Sequence, residues 1–333
     1  MILIMSIEMD WTTSDIISWL LYYKIPFIRI NKNTKVTVES FSINNQKDDA
    51  DFTLIIENPE YEPCLVKSSE ITGFWYRRGE LKVQYPSIDE ENLEDEAYKV
   101  FAKHLNYYLQ LESKTITESI YAHLTRRKSI NSFLTRSANK IDYLIVAKEV
   151  GLEIPNTLVS NNKEDLRAFL QQQPSISKAM FVGGIPLPEF AFEGGTHIIT
   201  QDDIDQAPFK NFPSCVQEQL DKAYELRIFY LHGQCYPMAI FSQNDEQTQV
   251  DFRNYNYASR NRTPPYKLPK DIESKIRLFM DKVDLNSGSI DIVVTKDKRY
   301  VFLEVNPIGQ FSQVSYPCNY HLEKKIAQYF KNE

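Results

Sequence analysis

The stretch SGSIDIVVTKDKRYVFLEVNP, residues 287–307, decides how the chain is read. It contains two β-rich runs, Ser289 to Thr295 and Tyr300 to Val305, joined by the polar turn Lys296 to Lys298. Such a pattern predicts a hairpin. Glu304 and Asn306 are two residues apart on one strand, so their side chains share a sheet face. The hairpin can bring Asp291 beside them. Two carboxylates and an amide oxygen form a hard, all-oxygen donor set of the kind magnesium prefers. The competing reading is three polar residues at solvated strand ends. The apolar Val301, Phe302, Leu303 and Val305 around them weigh against it, because an acidic group among apolar neighbours needs a partner.

Two lysines stand in positions that ask for a similar explanation. Lys140 opens a helical run, ANKIDYLIVAKEVGLEIPNTLVSN, and Lys178 sits in the strand-like SISKAMFV. Each alone reads as a snorkelling surface side chain. Together they would complement an anionic ligand such as a nucleotide. The basic run Arg126, Arg127, Lys128, Arg136 and Lys140 has the same two readings, a solvated helix face or an anion contact.

Working outward, the first third alternates strands and helices. Ile2 to Ile7, Phe27 to Ile30, Phe52 to Ile56 and Ile71 to Tyr76 read as strands. Ile16, Ile17, Leu20 and Leu21 have helical spacing behind a cap at Thr12 or Thr13. This rhythm predicts a small open α/β domain, and no GxGxxG loop marks it for dinucleotides. A helix over about 90–111 should lead out of it, and another over 141–150 should end at Gly151. Beyond Ser175 strands dominate: Ser175 to Val182, Ala223 to Leu231 and Gln234 to Phe241, the last two turning at His232-Gly233. Helices are expected over 269–283 and 320–330. Gly183 to Gly195, with glycines at both ends and Pro186 and Pro188 inside, reads as a lid or as an ordinary hairpin.

Composition bounds the function classes. The chain has 333 residues, 42% hydrophobic and 25% charged, with 20 Tyr and 19 Phe, enough for a sizeable core and for aromatic-lined grooves. Its net charge of −7 argues against nonspecific nucleic-acid binding. The four cysteines form no CxxC and the five histidines no HExxH, so neither a zinc site nor a disulfide framework is supported. Reduced thiols fit a cytoplasmic enzyme. No apolar span reaches membrane length, and the start lacks a basic signal region.

The sequence resembles the ATP-grasp superfamily over nearly its whole length, and most closely the peptide ligases that build microviridin-type graspetides, the grasp-with-spasm maturases. The resemblance rests on the order of WYRR (75–78), NKIDYLIVAKEVGLEIPNT (139–157), Ser177-Lys178, QEQLDKAYELRIF (217–229), FSQ (241–243), DFR (251–253) and FLEVNPIGQF (302–311). It implies an α/β fold, α+β in the C-terminal lobe. The expected parts are an N-terminal open α/β pre-ATP-grasp domain (1–120), a central lobe (121–213) and a C-terminal lobe (214–333).

It also implies ATP and Mg2+ as cofactors. Lys140 and Lys178 would contact the phosphates. Gln217 to Leu220, with Glu218, would read adenine, and Glu225 the ribose. Arg227 would face the γ-phosphate and the acyl phosphate, with Lys178 and Arg253 the other catalytic candidates. Asp291, Glu304 and Asn306 would hold the metal. Arg77, Arg78, Asp251 and Arg253 would lie nearer a peptide substrate. The implied reaction joins Asp or Glu side chains of a precursor peptide, leader plus core, to its Ser or Thr hydroxyls, or to Lys, as ω-ester or ω-amide rings. The Pro-rich composition of 183–195 departs from the commoner pattern and leaves the leader's docking open. A homodimer is the other implied partner. Two alternatives share the same ATP site: a ligase adding a free amino acid, and a non-catalytic leader- or nucleotide-binding module.

Overall fold

The computed structural model describes residues 1–46, 49–58, 62–137, 139–180, 184–186, 191–193, 195–208, 212–243 and 261–331. The chain divides into two compact units, Met1–Arg136 with His321–Glu333, and Ser137–Tyr320. The boundary expected at residue 120 falls inside a helix of the first unit, and the last helix returns to that unit.

In the first unit the elements are β1 (Ile2–Met5), α1 (Trp11–Tyr22), β2 (Phe27–Ile30), β3 (Lys35–Ser42), β4 (Asp51–Glu57), β5 (Cys64–Lys67), β6 (Gly73–Tyr76), α2 (Glu96–Thr125) and β7 (Lys128–Ile130). β2, β1, β6 and β7 form a parallel sheet in that order, the open α/β arrangement expected. β1 and β6 are buried along their whole lengths, as parallel strands covered on both faces must be. A separate antiparallel sheet, β3-β4-β5, interrupts the simple alternation. α1 begins at Trp11 behind Asp10 rather than behind Thr12 or Thr13. α2 starts later than expected and runs much further: Asp95 caps it by accepting from the Ala97 N–H, so Asp89 to Glu91 lie before the helix.

The second unit continues with α3 (Lys140–Glu149), β8 (Thr157–Ser160), α4 (Lys163–Gln172), β9 (Ser175–Lys178), β10 (Gly184–Pro186), β11 (Ala191–Glu193), β12 (Thr196–Ile199), α5 (Gln201–Gln206) and β13 (Ser214–Glu218). Then come β14 (Lys222–Leu231), β15 (Gln234–Ile240), α6 (Lys270–Lys282), β16 (Ser287–Thr295), β17 (Tyr300–Asn306) and α7 (Ser312–Ser315). The final helix, α8 (Leu322–Tyr329), belongs to the first unit. Asn139 caps α3 through the Ile141 and Asp142 N–H groups, and Gly151, at φ 81°, lets the chain leave it. β10 and β11 pair antiparallel, so the described parts of 183–195 form a hairpin; residues 183, 187–190 and 194 lie outside the described residues.

Two antiparallel sheets organise this unit: β12-β9-β13-β8 and β15-β14-β16-β17. The second is covered on one face by α6 and α3. Leu226, Ile228, Ile290, Ile292, Phe302 and Val305 meet Ile276, Phe279 and Met280 of α6 and Leu144 and Ala147 of α3. The apolar positions of α6 recur at helical spacing, so one stripe packs on the sheet.

Candidate active site

The opposite face of the β14–β17 sheet carries the polar residues, and cross-strand register brings them together. Arg227 of β14 lies opposite Asp291 of β16, and Asp291 opposite Glu304 of β17. Asn306 is opposite Ser289, one rung along on the same face. Between Asp291 and Ile292 the register slips, because Phe302 pairs with Ile292 while Glu304 pairs with Asp291. Leu303 is the extra residue of a β-bulge. As a result Phe302 and Val305 both face the core, whereas the adjacent Leu303 and Glu304 both line a cavity.

A second bulge acts similarly on β14, where Lys222 pairs with Thr295 and Tyr224 with Val294. Ala223 is the extra residue. Plain alternation would place Lys222 beside Tyr224. The bulge instead places it on the face of Glu225, and both line the cavity.

The cavity has a volume of about 410 Å³, within the usual range for small-molecule sites. Its roof comes from β9 and β12, where Ile176 pairs with Ile198 and Lys178 with Thr196, all four facing inward. Pro155 and Pro174 extend the apolar roof, and Val293 and Leu303 supply an apolar floor. This makes a slot suited to a flat ring. Residues 217–221 link the roof sheet to the floor sheet and close one end. Within that link the Glu218 N–H donates to Asn156 O (2.9 Å) and the Gln219 N–H to Pro174 O (2.8 Å). The Leu220 N–H makes no hydrogen bond among the described residues. Gln217 is buried and donates to Thr157 Oγ1 (3.0 Å), while a Glu218 carboxylate oxygen accepts from the Asn156 N–H (3.2 Å).

At the other end the charges are paired. Glu304 Oε2 lies 3.2 Å from both Lys140 Nζ and Lys178 Nζ. Arg227 Nη1 donates to both Asp291 oxygens, at 2.7 and 2.5 Å. Lys222 Nζ is 2.6 Å from Glu225 Oε1, and the buried Ser242 hydroxyl donates to the same oxygen (3.3 Å). Buried charges are tolerated only with such partners. The Nε of Arg227 is buried and has no hydrogen-bond partner among the described residues. Burial pushes the Asp291 carboxyl up from its ordinary range; the Arg227 guanidinium opposes that push and the Glu304 carboxylate adds to it. Asp291 and Glu304, on neighbouring strands, thus face three cationic groups, Arg227, Lys140 and Lys178, so a metal would enter this site together with anionic phosphates that engage the lysines. That donor chemistry fits magnesium. Among the described residues no group of three or more His, Cys, Asp or Glu could hold a metal, so the set depends on the Asn306 amide.

The loop after β17 folds back on β16. The N–H of Gly309 donates to Asn306 O (3.0 Å), and a Cβ at Gly309 would meet Ser289 Oγ at 2.2 Å and its backbone N at 2.8 Å. Only glycine allows this approach.

Of the expected residues, the structure gathers Lys140, Lys178, Gln217, Glu218, Leu220, Glu225, Arg227, Asp291, Glu304 and Asn306 in this one unit. Arg77 and Arg78 belong to the first unit. Arg77 is 2% exposed, with its Nε 3.3 Å from Asp10, so it ties the turn after β6 to the start of α1. Asp251 and Arg253 lie outside the described residues. Of the basic run, Arg127 pairs with Asp49 (3.2 Å) and Arg136 stacks on Phe133, whereas Lys140 reaches the cavity's acidic end. Lys222, Ser242, Thr157 and Leu303 are not among the site residues expected from sequence, although all four lie in stretches that carry the resemblance. Lys222 was legible only as a charged residue three before Glu225, and that spacing places it on the cavity face only when a bulge intervenes.

No protein-family model matches the chain, and no curated protein matches it. Solved structures do. Macrocyclase MdnC from Microcystis aeruginosa MRC, bound with precursor peptide MdnA, is 26% identical with a TM-score of 0.73, the match covering 98% of each chain. A RiPP-associated ATP-grasp ligase of Chryseobacterium gregarium, in complex with ADP and a leader and core peptide, is 22% identical with a TM-score of 0.75, covering 98% of this chain and 94% of that one. ATP-grasp ligase PsnB, complexed with minimal precursor, Mg and ADP, is 14% identical with a TM-score of 0.67, covering 98% and 95%.

The chain thus has the fold of ATP-grasp ligases. Within that class the chain matches the graspetide-type peptide ligases, from end to end. Among the described residues no helix is long and apolar enough to cross a membrane.

Proposed function

We propose that this protein uses ATP and Mg2+ to close ω-ester or ω-amide rings in a ribosomally made precursor peptide in the cytoplasm. The observation that carries the proposal is the sequence of chemistries along one cavity wall. An apolar slot at the 217–221 link comes first, then Glu225, then Asp291 and Glu304 with Lys178, and behind these carboxylates their partners Arg227 and Lys140. That order matches base, sugar and phosphates in turn, with the nucleotide between lobes 121–213 and 214–333.

A carboxylate is a poor electrophile, and ATP turns it into a good one. The Asp or Glu side chain of the peptide attacks the γ-phosphorus, its bond to ADP breaks, and an acyl phosphate forms. A Ser or Thr hydroxyl, or a Lys amine, of the same peptide then adds to the acyl carbon. Phosphate leaves, and one water is lost overall from the peptide. Lys140 and Lys178 offset phosphate charge, and Arg227 faces the oxygens that gain charge as the phosphoryl group moves. Asp291, Glu304 and Asn306 would hold magnesium, which when bound neutralises and orients phosphate oxygens. The Leu220 N–H offers the base an uncommitted donor. Holding both reacting groups of one peptide gives ring closure a high effective concentration.

Arg253, with Asp251, remains a proposed contact to the peptide. So do Arg77 and Arg78, with Arg77's buried ion pair favouring a supporting role. We also propose a homodimer. The exposed Tyr98, Phe101, Tyr107 and Tyr108 of α2 offer apolar surface for it, and sedimentation at micromolar concentration would decide.

The test is incubation of the protein with ATP, Mg2+ and a candidate precursor peptide carrying Asp or Glu with Ser, Thr or Lys side chains, followed by ADP assay and intact mass. One water lost per ADP formed supports the proposal, and EDTA should stop both. Treatment with mild base separates esters, which open, from amides, which survive. A peptide that gains the mass of an amino acid would make this a ligase for free amino acids. Nucleotide bound with no ADP formed would leave a binding module.

A further inference from the structure

The bulge at Ala223 turns a lysine into the nucleotide cavity, and the proposal that follows rests on the ATP-binding reading above. Lys222 would lie on the core face beside Tyr224 if β14 alternated without interruption. The core there is already occupied by Tyr224, whose hydroxyl is 3.1 Å from that of Tyr266. The inserted residue instead sends Lys222 to the cavity, where its Nζ sits 2.6 Å from Glu225 Oε1 with both side chains largely buried. Ser242, fully buried two residues beyond β15, donates to the same oxygen at 3.3 Å. Bulges recur beside active sites because they re-aim one side chain without disturbing the rest of the ladder.

Two donors converging on Glu225 Oε1 pin that oxygen and restrict how the carboxylate can turn. Glu225 sits between the apolar slot and the Arg227–Asp291 rung, at the level a sugar would take. An ionised carboxylate accepts hydrogen bonds only, so it can recognise a sugar solely through hydroxyl donors. We propose that Lys222 is a positioning residue that orients Glu225 toward the ribose hydroxyls, and that this pair makes the site select ribonucleotides over 2′-deoxyribonucleotides. A site built to bond a hydroxyl disfavours the analogue lacking it, because the donor that the oriented carboxylate would accept from is then missing.

The experiment is titration calorimetry of the full chain with ADP and with 2′-deoxy-ADP, both with Mg2+. The wild-type protein should bind ADP tighter by about tenfold or more. Lys222→Met should weaken ADP while leaving 2′-deoxy-ADP nearly unchanged, so the ratio falls to within about twofold of unity. Lys222→Arg should keep most of the preference. Ser242→Ala should lower it by a smaller factor, and this arm stands even where Lys222→Met fails to fold. Thermal midpoints without nucleotide separate a folding defect from loss of selectivity. A wild-type protein that binds both nucleotides equally overturns the inference, as does a folded Lys222→Met protein that keeps the full preference. A wild-type protein that binds neither nucleotide overturns the ATP reading as well.

Discussion

The two sheets that enclose the cavity are held in different ways. The floor, β15-β14-β16-β17, rests on a broad apolar core shared with α6 and α3. The roof, β12-β9-β13-β8, has among the described residues a small cluster of Leu166, Ile204 and Val216 buried beneath it, with Leu158, Phe169, Leu170 and Ile199 partly covered. The chemistry is divided accordingly. Floor strands carry the carboxylates and Arg227, whose mutual placement sets what they can bind. Roof strands carry Lys178 and the two isoleucines of the slot, which need to approach a ligand but not to hold a fixed geometry with one another. Rigid scaffolding is spent where precision matters.

The largest expected effect tests the floor's chemistry. Glu304→Gln keeps the shape, removes the partner of both lysines and removes a candidate metal ligand. ADP formation in a coupled assay should fall by about a thousandfold. Lys178→Met, on the roof, should cost about a hundredfold. A larger loss at Lys178 than at Glu304 would invert the comparison.

Stability should divide the same way. Phe302→Ala, in the floor core, should cost about 3–5 kcal/mol in urea unfolding. Leu166→Ala, under the roof, should cost about 2 kcal/mol. Amide exchange in β9 and β12 should accordingly run ahead of that in β14 and β16, and equal rates would erase the distinction.

Much of the floor could be read from the chain alone. The hairpin of Asp291 and Glu304, the helix opened by Lys140 and the helix over 269–283 follow from strand and helix patterns. What could not be read is what breaks periodicity. The bulges at Ala223 and Leu303 depend on which neighbour strand each residue pairs with, so they exist only after the sheet forms. Counting by twos sends Lys222 to the core and separates Leu303 from Glu304, and tertiary pairing reverses both. The true start of α2 was hidden because Asp89 to Glu91 mimic a first helical turn, while the real cap, Asp95, comes a few residues later. The β3-β4-β5 sheet was missed in part because β5, Cys64 to Lys67, is short. The burial of Arg77 against Asp10 joins residues too far apart in sequence for any local pattern to signal.

The smallest expected effect concerns Cys235, on the floor. Burial pushes its thiol up to about 12 from an ordinary 9.0. The unfolded chain therefore ionises this group first. Its contribution to stability is intact below pH 9.0 and is lost as pH rises from there toward about 12. Cys235→Ala should flatten the alkaline arm of a melting-temperature profile, and an unchanged arm would assign the loss to other groups.

The central claim is that ATP activates a peptide side-chain carboxylate as an acyl phosphate. The most direct measurement supplies the precursor with heavy oxygen in its Asp and Glu carboxylates and follows the label in the released phosphate by mass spectrometry. One labelled oxygen should reach phosphate for each ring closed. Unlabelled phosphate accompanying ring closure would contradict the account.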